Sequence, residues 1–92
     1  MHDASALPSL QDASRALWLA TLSLMTAFMQ TPAPAHRLLM ARRIARNFDT
    51  LREQDCFSVD CRRSFTRLAA RWSGIAEGLR VEARGKGLGA RG

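Results

Sequence analysis

The sequence predicts an all-α fold: a small, mostly antiparallel three-helix bundle followed by a flexible Gly/Arg-rich C-terminal tail. Three observations carry that expectation. Apolar side chains recur at helical spacing in three successive stretches, no stretch alternates with the period of a strand, and short breaks rich in Pro, Ser and Asp separate the three. Ala and Leu dominate while Tyr is absent, a composition that favours helix over sheet. Ninety-two residues, 47% apolar and 24% charged, suit one globular domain at the size where burial only just sustains independent folding. The expected organisation is a disordered N-terminus over 1–8, a single helical domain over 9–79 with helices at about 10–30, 35–54 and 59–75, and a disordered basic tail over 80–92.

The first helix starts after Pro8, with Ser9 as N-cap and Asp12 near its positive end. Its apolar side chains fall into two adjoining stripes. One holds Leu10, Leu17, Leu24 and Phe28 with Ala13 and Ala20 beside it, and the other Trp18, Leu22, Met25 and Met29. Together they span roughly 200°, wider than the stripe of an ordinary surface helix. Arg15, Ser23, Thr26 and Gln30 occupy the rest, with Leu19 among them. That polar arc, and an apolar run from Ala16 to Met29 shorter than the ~20 residues a bilayer needs, argue against a membrane span.

Thr31 to Pro34 end this helix, and Pro34 suits the first turn of the next. The second helix has a core stripe of Leu38, Ala41, Ile44, Ala45, Phe48 and Leu51 with Met40 at its edge, and turns Arg42, Arg43, Arg46, Asp49 and Glu53 outward. Asp55 to Ser58 form a turn, with Ser58 capping the third helix and Asp60 in its first turn. There Cys61, Phe65, Leu68, Ala69, Trp72, Ile75 and Leu79 share one face. Gly74 and Gly78 weaken its end, which is expected near Ser73, or raggedly near Leu79.

Residues 17–36, LWLATLSLMTAFMQTPAPAH, also carry two of the three parts of a secretion signal: an apolar run and the small-x-small Ala33-Pro34-Ala35. The basic start is missing. Removing residues 1–35 would leave a two-helix hairpin exposing Phe48, Phe65 and Trp72. The stretch therefore reads as a first core helix and the protein as a bacterial, cytoplasmic one, against a competing reading of secretion after cleavage following Ala35.

The net charge of +6 comes from thirteen Arg and one Lys against eight acids. Such Arg usage fits a GC-rich coding sequence, so its placement is the informative part: −1 through residue 36, +5 over 37–71 and +2 beyond. A basic second half suits an acidic partner. Arg63, Arg67 and Arg71 form a ladder at i, i+4, i+8 without acidic i+4 partners, and Arg42 and Arg46 make a similar pair. Side by side, these five would form a patch for an acidic partner, and nonspecific nucleic-acid binding is the alternative function they support. No Gly-turned helix-turn-helix, zinc finger or exposed aromatic platform favours it.

Catalysis finds no support. His2 and His36 are poorly placed, and Asp49 and Glu53 sit among arginines on an exposed helix, so no catalytic residue is expected. In CFSVDC, Cys56 and Cys61 lack two further ligands for zinc and are spaced more widely than a C-x-x-C redox pair. Cys61 is expected as a small core residue and Cys56 as a loop thiol. GKGLG lacks the spacing of a phosphate loop. No metal or cofactor is expected. The leading expectation is a small non-enzymatic interaction or regulatory module, homodimeric or bound to a small protein partner through Leu17, Trp18, Leu22, Met25 and Met29, where methionines adapt readily to a facing helix.

Overall fold

The Ser9 side chain accepts a hydrogen bond from the Asp12 amide at 3.0 Å, and the Ser58 side chain accepts one from the Cys61 amide at 3.1 Å. Each satisfies a donor that has no partner inside its own helix, which fixes where two of the three helices begin. Pro34 opens the remaining one from its first position. The computed structural model describes residues 9–91, with side chains through residue 85. It comprises α1 (Leu10–Gln30), α2 (Pro34–Leu51) and α3 (Val59–Arg91), with no strand among the described residues. The segment 1–8, expected to be disordered, lies outside them.

Two helix ends differ from expectation. α2 stops at Leu51 although neither Gly nor Pro follows it; the Gln54 side-chain amide donates to the Thr50 carbonyl at 3.1 Å and so occupies one of the last carbonyls. α3 runs through Gly74, Gly78 and Gly85 to Arg91, so residues 80–91, expected as tail, are helical. At ~1.5 Å per residue α3 is about 50 Å long against about 27 Å for α2.

The core is built mainly from α2 and α3. Ala41, Ile44, Ala45, Phe48 and Leu51 of α2 meet Phe65, Ala69, Trp72 and Ala76 of α3, and all are buried. Alanines on both sides let these two backbones come close. α1 contributes Phe28 and two buried polar residues, Ser14 and Thr21. Both are satisfied: the Thr21 hydroxyl donates to the Leu17 carbonyl at 2.7 Å, and the Ser14 hydroxyl to the Gln54 side chain at 3.3 Å. Leu10, expected in the core stripe, is exposed because it lies one turn before Ser14, where packing begins. Ala13 and Ala20 are exposed as well.

Large rings join α1 to α3. Phe28 meets Trp72 edge-on at 5.0 Å, and Trp18 meets Phe65 at 5.9 Å and Phe57 at 6.0 Å. These rings hold the two helices apart: among the described residues no Cα of α1 lies within 8 Å of a Cα of α3, whereas α2 approaches both neighbours that closely. Phe57, from the turn before α3, packs on Phe65 at 5.0 Å and closes that end of the core. It takes the place expected for Cys61, which is exposed one turn earlier on α3.

Candidate functional site

Two surfaces bring exposed side chains together beside the core. The first is the open side of the α1–α3 junction. Along α1, Trp18, Leu22, Met25 and Met29 repeat at alternating spacings of four and three, the rhythm of a helix seam. Trp18 and Met25 pack against the core, as does Leu17, so three of the five residues expected at an interface are engaged within the monomer. Leu22 is 41% and Met29 78% exposed. Across the junction, α3 repeats the same rhythm through Leu68, Trp72, Ile75 and Leu79; of these Leu68, Ile75 and Leu79 are half-buried. Aromatic pairs span this junction, and its outer edge stays incompletely covered. Residues 16–30 carry no charged side chain, in a molecule with a net charge of +6.

The second surface is basic, and it divides in two. Arg42 and Arg46 reach into a polar groove of about 340 Å³ between α2 and α3, where Ser73, Glu77 and Arg80 face them. Arg63, Arg67 and Arg71 are exposed on the arc of α3 opposite Phe65, Ala69, Trp72 and Ala76, so the fold does not bring them beside Arg42 and Arg46. None of these five has a carboxylate partner within ion-pair distance among the described residues; the ion pairs there belong to Arg52, Arg62 and Arg80. Arg80 donates from Nε to Glu77 Oε1 at 3.2 Å and from its terminal nitrogen to Oε2. That hydrogen bonding holds the Glu77 carboxyl below the usual carboxylate range, opposed by desolvation and helped by the charges of Arg80, Arg84 and Arg42.

Sequence reasoning missed a third feature, on the outward face of α2. Leu24 of α1 with Leu39 and Met40 of α2 floor an open dish of about 470 Å³, and Arg42, Arg43, Arg46 and His36 form its rim. The signal was present in the spacing: Leu39 precedes Arg42, Arg43 and Arg46 by three, four and seven residues, so it shares their face. Leu39 is 60% exposed.

Among the described residues no three His, Cys, Asp or Glu side chains come together in a way that would hold a metal ion, and no helix is long and apolar enough to cross a membrane. Comparison with known proteins returns no match: no family model fits the chain, and no curated protein and no solved structure is similar to it.

Proposed function

We propose that the protein is a small, non-enzymatic helical interaction module that pairs with a second copy of itself across the α1–α3 seam. The carrying observation is the exposure of Leu22 and Met29 beside half-buried Leu68, Ile75 and Leu79, along a junction that aromatic pairs span. Covering such a patch removes apolar area from water, at roughly 25 cal/mol per Å². The choice of a second copy rests on charge. Two molecules of net charge +6 repel across most of their surfaces, but residues 16–30 carry no charge, so pairing that centres on α1 brings the fewest like charges together.

The reading takes the three helices as an antiparallel, up-down-up bundle. In support, Ser14 near the start of α1 bonds Gln54 just past the end of α2, and Arg37 in the first turn of α2 lies 4.3 Å over the Phe28 ring near the end of α1. Between α2 and α3, Phe48 stacks on Phe65, while Arg42 shares a groove with Arg80. Cytoplasmic residence belongs to the same proposal.

Mass measured by light scattering over a wide concentration range tests it. The expected result is a rise from the 10.2 kDa monomer to twice that mass, undiminished by added salt. Leu22→Asp with Met29→Asp is expected to hold the chain at monomer mass with its helicity unchanged, since both side chains are exposed. A wild-type chain that stays monomeric at the highest concentration refutes the pairing.

A further inference from the structure

The dish on α2 joins exposed Leu39 and Arg43 to Arg42 and Arg46, which also border the α2–α3 groove. Arg42 and Arg46 lie at i, i+4, and Arg43 and Arg46 at i, i+3, spacings at which like charges destabilise a helix. α2 has no side-chain cap and no acid in its first turn, so nothing there offsets the positive end of the helix. No carboxylate lines the dish, and Arg42, Arg43 and Arg46 have no ion-pair partner among the described residues. At its centre Leu39 stands exposed, with Met40 and Leu24 beside it. The surface thus joins an apolar floor to a cationic rim, and both are open to solvent.

We propose that this dish docks an acidic amphipathic helix of a partner protein, with one or two apolar anchors over Leu39, Met40 and Leu24 and carboxylates at helical spacing on Arg42, Arg43 and Arg46. Charge complementarity selects that occupant. Single-stranded or duplex nucleic acid would use the arginines but has no use for an apolar floor in the absence of an aromatic platform. The anchors and the acidic flanks of a helix use both, in the way helix-in-groove recognition combines pockets with charge. Residues 36 to 46 span about three turns of α2, a matching length for such a helix. The dish lies on the α2 flank of α1, away from the Leu22–Met29 seam, so it stands or falls independently of self-pairing.

Fluorescence anisotropy with the full chain tests this. The probe is a labelled synthetic helix about 15 residues long with Leu on one face and Glu on its flanks. Two comparators are a twin with Lys in place of Glu and a single-stranded DNA of equal negative charge. The acidic helix is expected to bind and the Lys twin not to bind. Arg43→Gln and Leu39→Ser are each expected to weaken binding about tenfold, while Arg67→Gln on the far face of α3 leaves it unchanged. Thermal melts of both dish variants should match the wild type, because Leu39 and Arg43 are exposed. If Leu39→Ser nevertheless melts early, Leu39→Gln replaces it. Failure of the acidic helix to bind overturns the proposal. So does binding that is indifferent to the Leu39 substitution and equalled by the DNA, which would make the arginines a general polyanion surface.

Discussion

Gly74 and Gly78 lie inside the packed part of α3, between Trp72 and Leu79, yet neither is required there by its surroundings. A Cβ placed on either meets nothing within 4 Å, and neither has a positive φ. In a helix interior Gly costs about 0.5–1 kcal/mol relative to Ala, because it loses more backbone freedom on folding. Gly74→Ala and Gly78→Ala are therefore each expected to stabilise the protein by about 0.5–1 kcal/mol, and the double variant by about 1–2 kcal/mol. For a domain of this size each kcal/mol raises the melting temperature by roughly 4–8 °C. Gly85 is a control of a different kind. It also has open space around it, but it follows Leu79, the last of the described side chains of α3 to pack against the core. Gly85→Ala should increase helix content without moving the cooperative midpoint. Urea unfolding followed by circular dichroism reads both quantities, with the slope unchanged if only stability has changed. A Gly74→Ala or Gly78→Ala variant no more stable than the wild type would refute the continuous, laterally open α3 on which the estimate rests.

Three further outcomes follow from single side chains. Phe48 is fully buried and stacks on Phe65, so Phe48→Ala is expected to cost about 3–5 kcal/mol, a large share of the roughly 5–15 kcal/mol available to a small domain; denaturant titration measures it. Cys56 and Cys61 are both free and exposed, so a thiol reagent should modify two groups per chain without denaturant. A count of one would restore Cys61 to the core. Glu77 is exposed and its folded carboxyl titrates below the ordinary range, first because Arg80 hydrogen-bonds it. Its small contribution is then present above the unfolded carboxylate value and is lost as pH falls through the lowered folded value. Carboxyl NMR titration of the wild type against Arg80→Gln should show the Glu77 titration move upward in the variant.

Legibility in the sequence followed the strength of the local signal. Ser9, Pro34 and Ser58 mark helix starts because capping is written in the residue itself, and the 3.6-residue period of Ala41, Ile44, Ala45, Phe48 and Leu51 maps directly onto burial. The ends of helices were less legible. Gly74 and Gly78 signal termination locally, but packing of Trp72, Ala76 and Leu79 on either side carries α3 through them, since tertiary contacts outweigh a propensity cost of about 1 kcal/mol. Burial of Ser14 and Thr21 in place of exposed Leu10, Ala13 and Ala20 was also hidden. Thr21 is accommodated by a bond to the carbonyl one turn back and Ser14 by a bond to distant Gln54, and no periodicity of apolar residues reports either. For the surface sites, the sequence contained the arginines and the α1 stripe, but only the fold decides which of them face one another.

That decision comes down to where the chain puts alanines and where it puts rings. Alanines at 41, 45, 69 and 76 draw α2 and α3 together and close that junction, so its edges carry polar groups such as Arg42, Arg46, Ser73 and Glu77. Rings at 18, 28, 65 and 72 fill the α1–α3 junction from within while keeping the backbones apart, so apolar side chains at its edge stay reachable from outside. The pairing proposed for that edge therefore depends on the width of the junction as well as on Leu22 and Met29. Trp18→Leu separates the two contributions. It shrinks this aromatic wedge but retains an apolar residue, and is expected to let α1 settle toward α3 and cover Leu22 from within. Self-pairing should then weaken even though no exposed residue has been altered, read as a loss of the concentration-dependent mass. Undiminished pairing in a folded Trp18→Leu variant would show that the wedge plays no part in presenting the seam.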